Sequence, residues 1–284
     1  MNKVTVIGMG MMGASFALAL KRAGLGQTVT GVDMQPAVLD AAVQRGIIDN
    51  ATIHIDSGIR EADIVVLATP VSAVVKLLSV LADLEFAGLI IDLGSTKQTI
   101  CEAARNLPGL KFIGCHPMAG SEMAGLGGAK ADLFDNAPVI ITPPPGADEK
   151  LVDRVIGVWR RLGCRVTLMD PGEHDFSVAI ISHLPYLTAV ATMHAAAELA
   201  REKPDIFTLI AGGFRDTTRV SEGDPVMWRD ICLTNHVHIL RAIAQLRRTL
   251  DEMEQALEAR DGNRLQAIFQ SAQNRRKTYI PKKK

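Results

Sequence analysis

Gly8-Met9-Gly10-Met11-Met12-Gly13 is the stretch of sequence that decides the fold of this chain. It follows the apolar run Val4–Ile7, which predicts a buried strand, and it opens the Ala/Leu-rich segment Met11–Ala23, which predicts a helix. Asp33 ends the next predicted strand, 20 residues after Gly13. In this context the glycines permit a tight turn, close approach of a pyrophosphate and close packing of helix on sheet. The pattern therefore predicts a dinucleotide-binding fold.

The same stretch predicts NAD as the cofactor. Its phosphates would lie at the N-terminus of the first helix, where free N–H groups and the helix dipole favour anions. Asp33 would accept hydrogen bonds from the adenine ribose hydroxyls and repel a 2′-phosphate, and no Arg follows within the next few positions. Two later strand ends, Thr69-Pro70 and Ser95, should lie along the same crevice. The predicted cofactor-binding residues are Gly8, Met9, Gly10, Met11, Met12, Gly13, Asp33, Thr69, Pro70 and Ser95.

The rest of the chain divides into an α/β part and a helical part. Short apolar runs that predict parallel strands alternate with helical segments, at Val4–Ile7, Thr28–Asp33, Ile64–Ala68, Leu89–Asp92, Phe112–Cys115, Val139–Ile141 and Arg165–Leu168. After Asp170-Pro171-Gly172 no β-rich run returns, and long helices are predicted over Ile180–Arg201 and Val237–Arg260. We predict a Rossmann-type doubly wound, mostly parallel sheet over residues 1–169 and an all-helical, substrate-binding and dimerisation domain over residues 170–284.

Composition narrows the possible partners. Lys plus Arg equals Asp plus Glu, 31 each, which gives no reason to expect nucleic acid as a partner. No apolar run reaches the ~18 residues that a membrane span needs, and no basic leader with an apolar core precedes the glycine stretch. We expect a cytoplasmic protein without a membrane partner. An apolar stripe in the last long helix predicts a homodimer, through Ile239, Ile243, Leu246, Leu250, Met253 and Leu257.

The best candidate for a catalytic group is His116, which follows a predicted strand. Doubly wound sheets place their working groups at the carboxyl ends of strands. A neutral imidazole can accept a proton from an alcohol while hydride leaves the same carbon. Ser95, at the neighbouring strand end, either merely caps the following helix or also faces the same crevice, and the two roles are compatible. A nicotinamide cofactor beside such a base indicates an alcohol-oxidising dehydrogenase.

Several segments, in this order, resemble the prephenate/arogenate (cyclohexadienyl) dehydrogenase family of tyrosine biosynthesis. The resemblance runs from the glycine stretch to about residue 275. Each motif alone is only weakly specific for this family, whereas all of them in this order are highly specific for it. The segments are Asp92-Leu93-Gly94-Ser95-Thr96-Lys97, His116-Pro117-Met118-Ala119-Gly120-Ser121-Glu122, Ser182-His183-Leu184-Pro185, Gly213-Phe214-Arg215-Asp216-Thr217-Thr218-Arg219 and Asp224-Pro225-Val226-Met227-Trp228-Arg229-Asp230.

The resemblance implies a role for each matching residue. His116 would take the proton of the ring hydroxyl, and Ser95 would orient that histidine or the hydroxyl. Arg219 would bind a substrate carboxylate. His183 would be a second histidine on the substrate side, with Glu122 and Trp228 lining the pocket. The implied reaction is the NAD-dependent oxidative decarboxylation of prephenate to 4-hydroxyphenylpyruvate, of arogenate to tyrosine, or of both.

Other interpretations remain open at this point. His183 could be a core or capping histidine, and Arg219 could pair with Asp216 or Asp224 on the surface. A β-hydroxyacid dehydrogenase joins similar halves, but it relies on a lysine in its helical domain, and here Lys203 comes only near the end of the helix. A non-catalytic NAD-sensing module would need neither base nor arginine. The remaining histidines show no metal-ligand spacing, so no metal is expected: His54, His174, His194, His236 and His238.

Overall fold

Among residues 2–120, 123 and 125–280, which the computed structural model describes, eight strands form one sheet. Their order is β3-β2-β1-β4-β5-β6-β7-β8, and every neighbouring pair is parallel except β6 and β7. This is the doubly wound, mostly parallel sheet expected from the sequence. The strands are β1 Lys3–Ile7, β2 Thr28–Val32, β3 Asn50–Thr52, β4 Ile64–Leu67, β5 Leu89–Asp92, β6 Lys111–Pro117, β7 Pro138–Thr142 and β8 Arg165–Leu168.

Helices connect the strands of the sheet, and after β8 the described part of the chain continues in helices and short turns. A single π-helical turn, Ala179–His183, joins α7 to α8. Short 3₁₀ turns cover Leu126–Gly128, Pro204–Leu209 and Arg219–Glu222. The helices are α1 Met11–Arg22, α2 Pro36–Gln44, α3 Ile55–Ile59, α4 Val71–Asp83, α5 Gln98–Arg105, α6 Glu149–Arg161, α7 Pro171–Val178, α8 Leu184–Leu199, α9 Gly212–Thr218, α10 Pro225–Thr234, α11 His236–Glu258 and α12 Gly262–Tyr279.

Strand β3 is absent from the sequence-based expectation. It is an edge strand of three residues, Asn50–Thr52, paired in parallel with β2. Its residues are small and polar, so it lacks the apolar run that marks the buried strands. Its place in the sheet follows from pairing with β2, which a local pattern does not encode.

Two apolar cores lie on opposite faces of the sheet, because alternate residues of each central strand point to opposite sides. Along β4, Ile64 and Val66 belong to one core, whereas Val65 and Leu67 belong to the other. In the first core the rings of Phe16, Phe134 and Trp159 meet edge to face, with centroids 5.3–6.3 Å apart. This packing fixes α1 and α6 against the sheet and so sets the position of the glycine stretch.

The first helix after the sheet begins earlier than the sequence suggested. Helicity starts at Pro171, nine residues before the predicted start at Ile180. The Asp170 carboxylate accepts hydrogen bonds from the Gly172 and Glu173 amides, and Pro171 occupies the first turn. Asp170 is therefore the N-cap of α7, and Pro171 occupies its first position, where proline is tolerated.

One described stretch, Pro171–Leu199, is long and apolar enough to cross a membrane when judged by length and composition. The expectation that no such stretch exists was wrong, because it counted only uninterrupted apolar residues. Length and composition are weak evidence for a span, since interior helices pass the same test. This stretch carries three buried polar residues, His174, Asp175 and His183.

The chain forms two compact units, Met1–His236 and Val237–Lys284. The second unit contains nearly all of α11 together with α12. Large apolar side chains in it are more than half exposed, among them Leu240, Leu250, Leu257 and Phe269. The change from sheet to helix falls between the end of β8 at Leu168 and the start of α7 at Pro171.

Candidate active site

The glycine stretch forms the turn from β1 into α1 that the sequence predicts. Gly8 has a φ of +96°, which favours glycine. A Cβ at Gly13 would overlap the carbonyl oxygen of Gly8 and approach Ala68, so only hydrogen allows α1 to approach the turn this closely. The Asp33 carboxylate holds the turn from the neighbouring strand, with Oδ2 2.8 Å from the Met9 amide and Oδ1 3.0 Å from the Gln35 amide.

A cavity of about 310 Å³ opens beside this turn, at the carboxyl ends of β1, β4 and β5. A dinucleotide fits the groups that line it. Apart from Gly10's own neighbours along the chain, no atom of the described residues lies within 4 Å of its Cβ position, which leaves room for a ligand at the N-terminus of α1. The Thr69 hydroxyl is buried at the wall and has no hydrogen-bond partner in the described part of the chain.

The predicted cofactor-binding residues divide into two groups. Six of them line this cavity: Gly10, Met11, Met12, Thr69, Pro70 and Ser95. The other four support the wall rather than form it. Gly8 and Gly13 shape the turn, the fully buried Met9 packs beneath it, and Asp33 fixes it.

A second cavity, of about 420 Å³, lies between the sheet edge and the helices after residue 170. Five predicted site residues line it: His116, Ser95, His183, Arg219 and Trp228. Glu122, the sixth, lies outside the described residues. Met11, Met12, Ser95, Met227 and Ile231 line both cavities, so the two form one continuous cleft.

Helix α10 is fixed to the sheet edge by polar contacts. The Ser72 amide, at the start of α4, donates to Asp230 Oδ2 at 3.0 Å. The hydroxyls of Thr96 and Thr234 are 2.9 Å apart. These contacts hold Met227, Trp228 and Ile231, which lie on the same helix, against the cleft.

His116 is the first member of a buried hydrogen-bond chain. Its Nδ1 lies 2.8 Å from His174 Nε2, and His174 Nδ1 lies 2.7 Å from Asp175 Oδ1. A carboxylate only accepts, so the proton of His174 lies on Nδ1 and its Nε2 accepts from His116 Nδ1–H. The lone pair of a neutral His116 therefore lies on Nε2. Because His116 lines the second cavity, this arrangement leaves its basic nitrogen for a ligand there.

Asp175 is itself held by the backbone of α5. Its Oδ1 accepts from the Lys97 amide at 2.7 Å and its Oδ2 from the Gln98 amide at 3.0 Å. Asp175, which lies 77 positions after Gln98 in sequence, thus caps α5, and among the described residues no capping hydrogen bond of the Ser95 hydroxyl is found. Of the two interpretations of Ser95, the structure favours the crevice.

The surroundings keep His116 uncharged. Burial lowers the pKa of its imidazole well below 6.5, and electrostatic interactions with His174, Lys97 and His183 act in the same direction. The ammonium of Lys97 is fully buried and ion-paired with the equally buried Asp92. Burial also lowers the pKa of His174, although its hydrogen bond to Asp175 opposes that shift. His116 is thus a neutral base at physiological pH.

Sequence reasoning missed His174, Asp175, Lys97 and Tyr186. His174 was considered only as a metal ligand, and no group of three or more His, Cys, Asp or Glu that could hold a metal occurs in the described part of the chain. A polar His-Asp pair at the start of an apolar helix was the available signal. Tyr186 stacks on Trp228, with ring centroids 3.6 Å apart and planes inclined by 6°, and so orients a wall of the cavity.

These features define an NAD-dependent dehydrogenase that joins a Rossmann-type sheet to a helical part, with a buried histidine beside the cofactor cleft. Comparison with known proteins agrees. Residues 16–168 match the family model described as prephenate dehydrogenase, nucleotide-binding domain, and residues 170–271 match its dimerization domain. The chain belongs to the prephenate dehydrogenase family.

Individual relatives cover nearly the whole chain. A prephenate dehydrogenase of Bacillus subtilis is 35% identical over 97% of this chain and 75% of its own length. The structure of Aquifex aeolicus prephenate dehydrogenase with hydroxyphenyl propionate and NAD⁺ aligns with a TM-score of 0.89, 30% identity and 98% coverage of both chains. Synechocystis arogenate dehydrogenase aligns with a TM-score of 0.80 and 31% identity, over 98% of this chain and 100% of that one.

Two glycine variants separate cofactor binding from folding. Gly10→Ala adds a methyl group in open space, so the free energy of unfolding should change by less than about 0.5 kcal/mol. The Kd for NAD⁺ should rise about tenfold or more, because the methyl group occupies the approach to the helix N-terminus. Gly13→Ala is the contrasting variant, expected to lose about 1–3 kcal/mol of stability through overpacking. Denaturant unfolding and NAD⁺ titration measure both, and unchanged NAD⁺ affinity in Gly10→Ala would contradict the assigned cleft.

Proposed function

We propose that this enzyme catalyses the oxidative decarboxylation of prephenate to 4-hydroxyphenylpyruvate, of arogenate to tyrosine, or of both, with NAD⁺ as oxidant. One observation carries the proposal. A neutral imidazole and a guanidinium, His116 and Arg219, line one cavity that is continuous with the cofactor cleft. That combination suits an anionic alcohol. The relatives named prephenate and arogenate dehydrogenase support the same substrate class.

His116 is the general base in this proposal. Gly10, Met11, Met12 and Thr69 would hold NAD⁺, which when bound accepts the hydride that leaves the hydroxyl-bearing carbon of the substrate. His116 Nε2 takes the hydroxyl proton, and His174 with Asp175 keeps that nitrogen unprotonated and correctly oriented beforehand. The ring carboxylate leaves as CO₂, and its bonding electrons complete the aromatic ring. Positioning of this kind supplies several kcal/mol, up to roughly 7–11.

The remaining groups bind and orient the substrate. Arg219 offers two parallel N–H donors to a carboxylate, a geometry that lysine does not reproduce. Ser95 lines both cavities, which places its hydroxyl beside cofactor and substrate together. Trp228, stacked on Tyr186, provides an apolar wall for the ring. His183 contributes a second imidazole to the same cavity.

We also propose a cytoplasmic homodimer, assembled through a helical domain that begins at residue 170. The match of residues 170–271 to the family's dimerization domain supports this assembly. So do the exposed apolar side chains of the helices, among them Leu199, Leu209 and Leu240, each more than 60% exposed. Sedimentation showing a single-chain mass at micromolar concentration would contradict the dimer.

The first test is NADH formation from prephenate and from arogenate by the wild type and His116→Asn. We expect turnover by the wild type and a loss in kcat of about 10²–10⁴-fold in the variant, since a general base contributes that much. The Kd for NAD⁺ should stay unchanged. Near wild-type turnover in His116→Asn would end the assignment.

The pH profile provides a second readout of the same residue. Because the pKa of His116 is lowered, its basic form persists as the pH falls through 6.5. The wild-type rate should therefore decline only in more acidic solution. An acid limb centred above 6.5 would contradict a neutral buried base.

Arg219→Ala tests the bound carboxylate. The KM for the substrate should rise about 10–100-fold, because a charge-assisted hydrogen bond contributes about 1.5–3 kcal/mol. The value of kcat should change much less, since the carboxylate is bound in the ground state as well as in the transition state. Arg215→Ala, on the same segment but outside the cavity wall, is the matched control. A loss confined to kcat would contradict the role.

A further inference from the structure

Asn235 links His183 to the hydrogen-bond chain formed by His116, His174 and Asp175. It follows α10 and is 3% exposed. Its side-chain Nδ2 lies 2.7 Å from the Asp175 carbonyl oxygen and 3.2 Å from His183 Nδ1. Asp175 thus contacts His174 through its carboxylate and Asn235 through its carbonyl group.

The hydrogen-bonding roles along this path are fixed by chemistry. A backbone carbonyl only accepts, so the NH₂ end of Asn235 must face Asp175. The same NH₂ group has a second hydrogen, and this one is directed at His183 Nδ1. His183 Nδ1 is therefore an acceptor, and the proton of the neutral ring lies on Nε2.

The opposite holds for His116. Its Nδ1 donates to His174, so its Nε2 carries the lone pair. Both rings line the same cavity. The cavity consequently presents one imidazole nitrogen that accepts a proton and one that donates a hydrogen bond.

We propose that Asn235 is a positioning residue that holds His183 as a neutral N–H donor, and that His183 Nε2 binds an anionic or carbonyl oxygen of the substrate without exchanging a proton. The identity of the ligand rests on the proposed function, whereas the tautomer does not. The two histidines therefore have different roles: His116 removes a proton, and His183 donates a hydrogen bond to an oxygen.

The charge environment keeps His183 in this form. Burial lowers its pKa to about 4, the nearby His174 acts in the same direction, and the Asp175 carboxylate opposes them. The ring of Trp228 packs edge-on, with centroids 5.9 Å apart and planes at 90°, and carries no charge. A neutral donor of this kind binds an oxygen acceptor over the whole physiological pH range.

The tautomer is measured directly by ¹⁵N NMR of histidine-labelled protein, with His183→Gln used to assign the signals. At neutral pH we expect Nε2 of His183 to carry the proton and Nδ1 to be unprotonated. In Asn235→Asp the new carboxylate only accepts, so Nδ1 should become protonated. A wild-type spectrum with the proton on Nδ1, or on both nitrogens, would overturn the proposal, whatever the enzyme's substrate.

Steady-state kinetics with prephenate tests the binding role. His183→Leu removes the donor, and KM should rise about 10–100-fold, with the loss falling on KM rather than on kcat. His183→Gln can present an amide N–H from a similar position and should recover most of that loss. Thermal unfolding confirms that both variants are folded. Equal KM values for His183→Leu and the wild type would overturn the binding role, and absence of turnover in the wild type would instead count against the proposed function.

Discussion

The hydrogen bond between His174 and the Asp175 carboxylate is the constraint on which the site depends. It fixes the proton of His174, which in turn fixes the proton of His116 and leaves a basic nitrogen at the cavity. The same carboxylate accepts from two amides at the start of α5. The helical part of the chain therefore orients a histidine that belongs to the sheet.

Burial is what makes this chain of contacts effective. His174, Asp175 and His183 are almost fully enclosed, and the Lys97–Asp92 ion pair lies beneath the same cleft. Charging any imidazole here is costly, so the histidines stay neutral and act by where their single proton lies. The energetic cost of enclosing His174, Asp175, Lys97 and Asp92 is offset because each of these side chains has a hydrogen-bond or ion-pair partner.

Local patterns predicted seven of the eight described strands and the glycine turn beside the cofactor cleft. The glycine stretch and Asp33 encode a turn whose geometry depends on neighbouring residues, and apolar runs mark buried strands wherever they occur. The edge strand Asn50–Thr52 lacks such a run, and the start of α7 was hidden because Asp170-Pro171 resembles a break. Asp175 and Asn235 contact each other across 60 residues of sequence, and Asp175 contacts Gln98 across 77. No local pattern reports such contacts. His116 and Ser95 were predicted from their positions at strand ends, whereas the roles of His183, Arg219 and Trp228 came from family resemblance.

The most direct test of whether His174 orients His116 is the kinetic effect of His174→Leu. This substitution removes the acceptor for His116 Nδ1–H without touching cofactor or substrate. The account predicts a folded enzyme with unchanged Kd for NAD⁺, little change in KM, and kcat lowered about 10–100-fold, a part of the ~10²–10⁴-fold that a general base contributes. A kcat within about twofold of the wild type would show that His116 needs no such orientation, and would contradict the account.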